Sequence, residues 1–166
     1  MNLSRYLTEN VVKLEMTTAI ESPNDGASIE KWRQQNKELI LQELVDLLES
    51  GYRIGNKSKL FIDFINRERK ASTGIGHGVA VPHIRSMQAK DFMMAFARST
   101  PGYDFDAIDN QPTHLFFVMA APPYDDALYL KAFKALAETL QYDSFRQELM
   151  TAQSPGEVIR AFRAME

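Results

Sequence analysis

The sequence of 166 residues contains no cysteine, and this absence excludes several kinds of chemistry. Without a thiol, the chain cannot perform thiol catalysis, form disulfides, or hold an iron–sulfur cluster or a cysteine-type zinc site. A domain of this size buries roughly 70% of the surface that its unfolded chain exposes, so it needs no crosslink to fold. We therefore expect one domain over residues 1–166, held together by its core.

Long runs of one charge and long apolar runs are also missing. The 19 Lys and Arg residues nearly balance 22 Asp and Glu residues, which argues against binding to a nucleic-acid backbone. The longest apolar run, at 115–121, is far shorter than the ~20 residues of a membrane span. The first residues lack the apolar core of a signal peptide. We expect a cytoplasmic protein that binds no nucleic acid and is not inserted in a membrane.

Helical and strand patterns alternate along the chain. Apolar spacing and capping residues predict helices between Ser28 and Gly51, from Ser58 into the charged stretch 67–70, from Asp125 or Asp126, from Asp143, and from the capping box at Ser154. Apolar runs predict strands at 11–14, 79–81, 92–97 and 115–121, with loops at 22–26 and 72–78 and a polar connection at 100–112. This alternation predicts one α/β domain whose sheet has helices on both faces.

Three glycines stand at alternate positions in the loop at 72–78. No Gly-Lys-Ser/Thr follows them, so the Walker A pattern is absent, and Val79 stands where the dinucleotide fingerprint requires glycine. Alternate glycines permit positive φ and close approach of the backbone to a ligand. The loop is therefore either a tight turn into a strand or a loop that receives an anion.

The three histidines do not form a recognisable metal motif. The spacing of His77 and His83 matches no common zinc pair, and His114 adjoins a buried strand. We expect no metal and no cofactor. His83 follows Pro82 at the end of a strand, and a neutral imidazole there is a competent nucleophile near pH 7. From these residues alone, a surface histidine without a function fits equally well.

Residues 72–83, STGIGHGVAVPH, closely resemble the signature of fructose/mannitol-type enzyme IIA domains of the bacterial phosphoenolpyruvate-dependent phosphotransferase system. That family includes a nitrogen-regulatory branch. The segment 105–112, FDAIDNQP, and the pair Arg67-Glu68 also resemble the family, and the likeness covers most of the chain. It implies a mannitol-type enzyme IIA fold, a three-layer α/β domain with a mixed sheet.

The resemblance also implies a function. His83 would take a phosphoryl group from the phosphohistidine of the phosphocarrier protein HPr and hand it to an enzyme IIB domain. Arg67 would steady the phosphoryl oxygens, and Ser72, Thr73 and Gly76 belong to the loop that would stabilise the group. Transfer between histidines needs alignment and charge compensation rather than a metal.

Two features depart from the family pattern. Tyr129-Leu130 stands where family members usually have a His-Leu pair, so Tyr129 occupies the position of a second histidine. A tyrosine hydroxyl donates one hydrogen bond but cannot become a cation. The other departure is an inserted loop or helix extension at about 17–35.

Three functional hypotheses follow from the sequence. The first is a phosphoryl carrier that accepts a phosphoryl group on His83. The second is a regulatory protein that controls a target protein through its phosphorylation state. The third is a degenerate domain that keeps the fold without transfer, and the intact loop before His83 argues against it. Because enzyme IIA contacts proteins rather than carbohydrate, the sequence carries no signature for a sugar.

Overall fold

The computed structural model describes residues 1–23, 26 and 28–166. Asn24 and Asp25, in the predicted loop at 22–26, lie outside the described residues, as does Ala27 in the predicted insertion. That insertion, and the extent of the single domain, remain predictions. Within the described part of the chain, no helix is both long enough and apolar enough to cross a membrane.

The described residues form one mixed sheet of six strands: β1 Val12–Lys13, β2 Gly74–Gly76, β3 Val79–Ala80, β4 His83–Arg85, β5 Met93–Tyr103 and β6 Thr113–Ala121. The order across the sheet is β1-β5-β6-β3-β2, and β4 also pairs with β6. β5 and β6 are antiparallel, whereas β3 and β4 both run parallel to β6.

Two layers of helices enclose this sheet: α1 Ile29–Glu49, α2 Lys57–Lys70, α3 Asp126–Leu140, α4 Asp143–Thr151 and α5 Pro155–Ala164. α1 packs on α2 and lies against β5 and β6, while α4 contacts β6 and α5 contacts β1. Phe117 on β6 packs against Phe96 on β5 and Phe162 on α5, with ring centroids 5.1 and 5.8 Å apart. Burial of each such aromatic side chain contributes about 1.5–3 kcal/mol to the stability of the fold. With helices on both faces of the sheet, the predicted three-layer fold is confirmed.

The helix caps agree with the sequence at three places and differ at two. Ser28, Asp125 and Ser154 accept hydrogen bonds from the first-turn amides of α1, α3 and α5, as predicted. The prediction that Ser58 caps α2 is wrong. Asn56 is the cap, because its side-chain oxygen accepts from the Lys59 amide at 3.0 Å. Asp143 is the first residue of α4 rather than its cap.

The strand predictions need three corrections. The loop at 72–78 contains β2, and β5 continues to Tyr103, so the polar connection begins later than residue 100. β3 ends before Pro82, as predicted, but a further strand, β4, begins directly after the proline. Ala80 pairs with Phe116 and His83 with Met119, so β3 and β4 keep one register along β6. The Pro82 carbonyl still accepts from the Met119 amide at 2.9 Å, which holds the chain at the sheet across the proline.

Candidate functional site

His83 is the first residue of β4, and its imidazole has a defined orientation. Nδ1 lies 2.6 Å from the carbonyl oxygen of Val81. A carbonyl oxygen can only accept, so the neutral ring carries its proton on Nδ1 and its lone pair on Nε2. Arg67 Nη2 lies 3.4 Å from that Nε2. The nitrogen with the free electron pair therefore faces a cation.

Two aromatic side chains of α3 wall the imidazole. The Phe133 ring meets it edge-on with centroids 4.4 Å apart, and the Tyr129 centroid lies at 6.0 Å. Burial lowers the pKa of His83 below its ordinary 6.5; the Val81 carbonyl opposes this and the Arg67 charge adds to it. The ring is therefore neutral near pH 7, the state in which a histidine acts as a nucleophile.

Arg67 belongs to the last turn of α2, which ends where Ala71 becomes extended. Its Nη1 donates to the Ala71 carbonyl at 3.0 Å while Nη2 reaches His83. The helix end thus holds the guanidinium group beside Nε2, where an incoming anion would sit. Arg67 and His83, both predicted as site residues, are brought together.

The hydroxyls of Ser72 and Thr73 bond within the loop and its surroundings. Ser72 Oγ donates to the Phe105 carbonyl and accepts from the Gly74 amide, both at 3.1 Å. Thr73 is buried, and its amide and hydroxyl donate to the Glu68 carboxylate at 2.7 and 2.5 Å. Both side chains fix the shape of the loop, and their predicted contact with a phosphoryl group stays a prediction.

Gly76 has a positive φ of 91°, which explains part of the alternate-glycine pattern. A Cβ at this position would lie 3.2 Å from Asp109 Oδ2. That oxygen accepts from the His77 amide at 3.1 Å. Gly76 therefore lets the loop turn closely past the 105–112 segment, and its role toward a phosphoryl group also stays a prediction.

Tyr129, on α3, is only 6% exposed, and its ring centroid lies 6.0 Å from that of His83. Burial raises its pKa to about 12 despite the nearby charges of Arg85 and Arg67, so the hydroxyl is neutral at physiological pH. The Arg85 guanidinium lies over the ring, 5.0 Å from its centroid. The position thus offers a neutral hydroxyl rather than an imidazolium.

The other two histidines bond elsewhere. His77 lies in a left-handed turn with φ 57°, and His114 Nδ1 lies 3.0 Å from the Ser99 carbonyl. Across residues 1–23, 26 and 28–166, no group of three or more His, Asp and Glu side chains is arranged to hold a metal ion.

Sequence reasoning missed three contributors to the site. These are the Val81 carbonyl that fixes the tautomer, the Phe133 wall, and the buried pair of Lys37 and Glu68 behind the loop. The apolar spacing of α3 predicts that Phe133 packs against the core, where it is partly buried, but not that it contacts His83. Glu68 carried a signal through its place beside Arg67 in the family-like pair, whereas Lys37 carried none.

A match to a model of a protein family shows which family the chain belongs to. Residues 27–165 match the model described as phosphoenolpyruvate-dependent sugar phosphotransferase system, EIIA 2. The chain belongs to this family. The predicted resemblance is thereby confirmed.

Curated relatives support this membership of the EIIA 2 family. The chain is 30% identical over 159 residues to the fructose-specific EIIABC component of Bacillus subtilis, covering 96% of this chain and 22% of that protein. It is 32% identical over 118 residues to the fructose-specific EIIA component of Haloferax volcanii, covering 71% of this chain and 77% of that protein. The chain therefore spans about a fifth of the first relative and about three quarters of the second.

Solved structures share the fold. Nitrogen regulatory protein IIA-Ntr from Neisseria meningitidis superposes with a TM-score of 0.78 at 28% identity, covering 96% of this chain and 98% of that one. The mannitol enzyme IIA of Escherichia coli, solved in complex with phosphorylated enzyme IIB, gives 0.71 at 17% identity, covering 95% and 97%. The second likeness concerns the fold alone.

Proposed function

We propose that this EIIA-family chain is a phosphoryl carrier that accepts a phosphoryl group from phospho-HPr on His83 and passes it to an enzyme IIB. The orientation of His83 carries the proposal. Its Nδ1 proton is engaged by the Val81 carbonyl, and its Nε2 lone pair faces Arg67.

The transfer step is a displacement at phosphorus. The Nε2 lone pair of His83 forms a bond to the phosphorus atom as the nitrogen–phosphorus bond of the donor phosphohistidine breaks. The donor nitrogen keeps that electron pair, and the Nδ1 proton of His83 stays in place. Positive charge grows on the His83 ring, and the Val81 carbonyl oxygen, 2.6 Å from Nδ1, stabilises it. No metal or external base is needed to balance the step.

Charge and water exclusion support the same role. Arg67 places a permanent cation beside Nε2, where the phosphoryl oxygens would arrive. Phe133 and Tyr129 pack against the imidazole, and these apolar rings would limit the access of water to the new bond. Ser72, Thr73 and Gly76 hold the loop next to the group, with Ser72 nearest the surface.

The relatives are consistent with this route. Two are named fructose-specific components, and one of them carries A, B and C parts in its name. The E. coli mannitol relative was solved with phosphorylated enzyme IIB. HPr enters the proposal through the family, as the protein that supplies the phosphoryl group.

The test is phosphotransfer from phosphoenolpyruvate through enzyme I and HPr, followed by phosphorus NMR. We expect an acid-labile phosphohistidine on the wild-type chain and none on His83→Ala. His77→Ala, which alters an exposed histidine in the turn between β2 and β3, is the matched control and should label like wild type. Label on His83→Ala, or its loss in His77→Ala alone, would contradict the assignment.

Tyr129 favours a second candidate function, a regulatory protein whose phosphorylation state controls a target protein. A neutral hydroxyl beside His83 cannot become the cation that a second histidine provides, so onward transfer would slow and the phosphorylated state would persist. The nitrogen-regulatory relative from N. meningitidis is consistent with such a role.

Two measurements separate the candidates. Rapid transfer of the phosphoryl group to an enzyme IIB supports the carrier. A phosphoryl group that persists on the wild-type chain but is transferred by the Tyr129→His variant supports the regulator. Affinity capture with phosphorylated wild type and with His83→Ala adds a second reading. A target protein that binds only one of these two states supports regulation.

A further inference from the structure

A buried ion pair lies behind the loop that precedes His83. Lys37 of α1 and Glu68 of α2 are each 4% exposed, and Lys37 Nζ lies 3.0 Å from Glu68 Oε2. Lys37 Nζ also lies 4.9 Å from the centroid of the Phe105 ring. Burying two charges is costly, so a pair at this place calls for a reason beyond stability.

The Glu68 carboxylate is the start of a bonded path to the imidazole. It accepts the amide and the hydroxyl of Thr73 at 2.7 and 2.5 Å. The Thr73 carbonyl accepts the Val81 amide at 3.0 Å. The Val81 carbonyl in turn accepts the Nδ1 proton of His83 at 2.6 Å. Each residue on the path is fixed by the one before it.

Val81, between β3 and β4, is held from two sides. Its amide donates to the Thr73 carbonyl on the β2 side of β3, while the neighbouring Pro82 carbonyl accepts from Met119 of β6. The Thr73 bond is therefore one of the contacts that orient the Val81 carbonyl toward His83 Nδ1. If Thr73 loses its anchor, the orientation of the acceptor that selects the His83 tautomer weakens.

We infer that Glu68, with Lys37 as its counter-ion, is a positioning residue that holds His83 in the Nδ1–H tautomer through Thr73 and Val81. The inference rests on the proposed function. A neutral histidine in water favours the Nε2–H form, which would turn the lone pair away from the incoming phosphorus. Glu68 and Arg67 are neighbours on the last turn of α2, so one helix end orients both ring nitrogens.

The first measurement uses the wild-type chain alone. Long-range proton–nitrogen NMR of the His83 ring at pH 7.5 distinguishes the two neutral tautomers without HPr or any phosphoryl donor. We expect the Nδ1–H form to predominate. A predominant Nε2–H form overturns the inference.

Two double variants then isolate the carboxylate. Lys37→Met/Glu68→Gln removes both charges but keeps an acceptor for Thr73, and Lys37→Met/Glu68→Leu removes the acceptor as well. We expect the Gln variant to keep the tautomer and the phosphorylation rate, and the Leu variant to lose the tautomer preference. Misplacement of a reacting group by about 1 Å can cost 10²-fold, so we expect the rate of the Leu variant to fall by at least tenfold with KM for phospho-HPr unchanged.

Glu43→Gln is the matched control, since Glu43 of α1 also accepts from Lys13 and from two threonines, but those threonines lie on the segment at 17–18 rather than on the loop before His83. It should leave both the tautomer and the rate as in wild type. A folded Leu double variant with the wild-type tautomer and rate overturns the inference.

If the Leu variant does not fold, Thr73→Val replaces it. This change keeps both buried charges and removes one hydrogen bond, so we expect a rate decrease of about fivefold. An unchanged His83 spectrum and rate in Thr73→Val overturn the inference. Should wild type show the expected tautomer but take no phosphoryl group, the proposed function fails while the positioning role stands.

Discussion

Glu43 and Glu68 use the same kind of bonding in two different surroundings. Each carboxylate accepts from a lysine ammonium and from the amide and hydroxyl of a threonine. The Lys13 side chain at Glu43 is 36% exposed, whereas the Lys37 side chain at Glu68 is 6% exposed. One network lies at the protein surface, and the other lies behind the loop that leads to His83.

The difference shows that the same set of hydrogen bonds around a carboxylate can serve different roles in different places of the fold. At Glu43 the bonds fasten the segment at 17–18 to α1, and the threonines there lead to no reactive group. At Glu68 the bonded threonine, Thr73, is linked to the His83 ring by further hydrogen bonds through Val81. Burial then raises the cost of breaking the second network. We expect surface and buried versions to respond differently to the same change.

The largest expected effect comes from removing a lysine from each network. Lys37→Met leaves the Glu68 carboxylate buried without its counter-ion, which should lower the free energy of unfolding by about 3–5 kcal/mol. Lys13→Met should cost about 0.5–1 kcal/mol, because its ion pair is partly solvated. Urea unfolding of both variants measures the difference. Equal losses would remove the distinction between the two networks.

A smaller effect is expected from Gly74→Ala, directly after Thr73. The added Cβ would lie 2.8 Å from the Cα of Ala107, a backbone atom that cannot swing aside. We expect a loss of about 1–3 kcal/mol and slower phosphorylation. Gly156→Ala is the control, since its Cβ would meet the flexible side-chain ends of Arg160 at 3.1 Å and Glu9 at 3.7 Å and no backbone atom nearer than these. A fully stable Gly74→Ala would show that the loop has room to shift.

Acid should weaken the Glu43 network. Burial raises the pKa of Glu43, but the Lys13 ammonium and the threonine donors outweigh it and lower the pKa from 4.5 to about 2. The stabilisation is complete above pH 4.5 and is lost as the pH falls toward 2. After allowance for solvent screening, it is about 1–2 kcal/mol. Lowering the pH from 5 to 2.5 should therefore reduce the thermal unfolding temperature of wild type more than that of Glu43→Gln. Parallel curves of unfolding temperature against pH for the two proteins would refute this.

The smallest expected effect is the titration of His83 itself. Because burial lowers its pKa below 6.5, the ring should stay neutral from pH 8 to 7 and protonate only under more acidic conditions. Phosphorylation should then be lost as the pH falls through that pKa, since a protonated ring has no lone pair. A proton NMR titration of the ring reports the pKa directly. A value above 6.5 would contradict the burial argument.

The sequence predicted the identity of the candidate nucleophile and much of the fold. The alternate glycines and the family-like signature led to His83, and Arg67 lies beside it. Apolar runs and capping residues located β6, α1, α3 and α5. These features are local, because each depends on residues close together in the chain.

Features that depend on distant residues could not be predicted in the same way. A lysine among polar neighbours on α1 resembles a solvated residue, and only the packing of α1 on α2 brings Lys37 to Glu68. The extension of β5 to Tyr103 depends on pairing with Thr113, beyond an irregularity in the register. Because the residues there are polar, no apolar run marks this part of the strand in the sequence. β3 ends before Pro82 as predicted, but only the pairing with β6 shows that the chain resumes in the same register as β4.

The continuous register of β3 and β4 has a consequence for motion. β6 is paired along both edges, with β5 on one side and β3 and β4 on the other, so the His83 backbone can open only when the central sheet opens. Such elements exchange their amide hydrogens at rates set by global unfolding rather than by local fluctuation. The histidine is therefore carried on a rigid support, and under the proposed function any adjustment to a donor or acceptor protein falls to exposed side chains rather than to the His83 backbone.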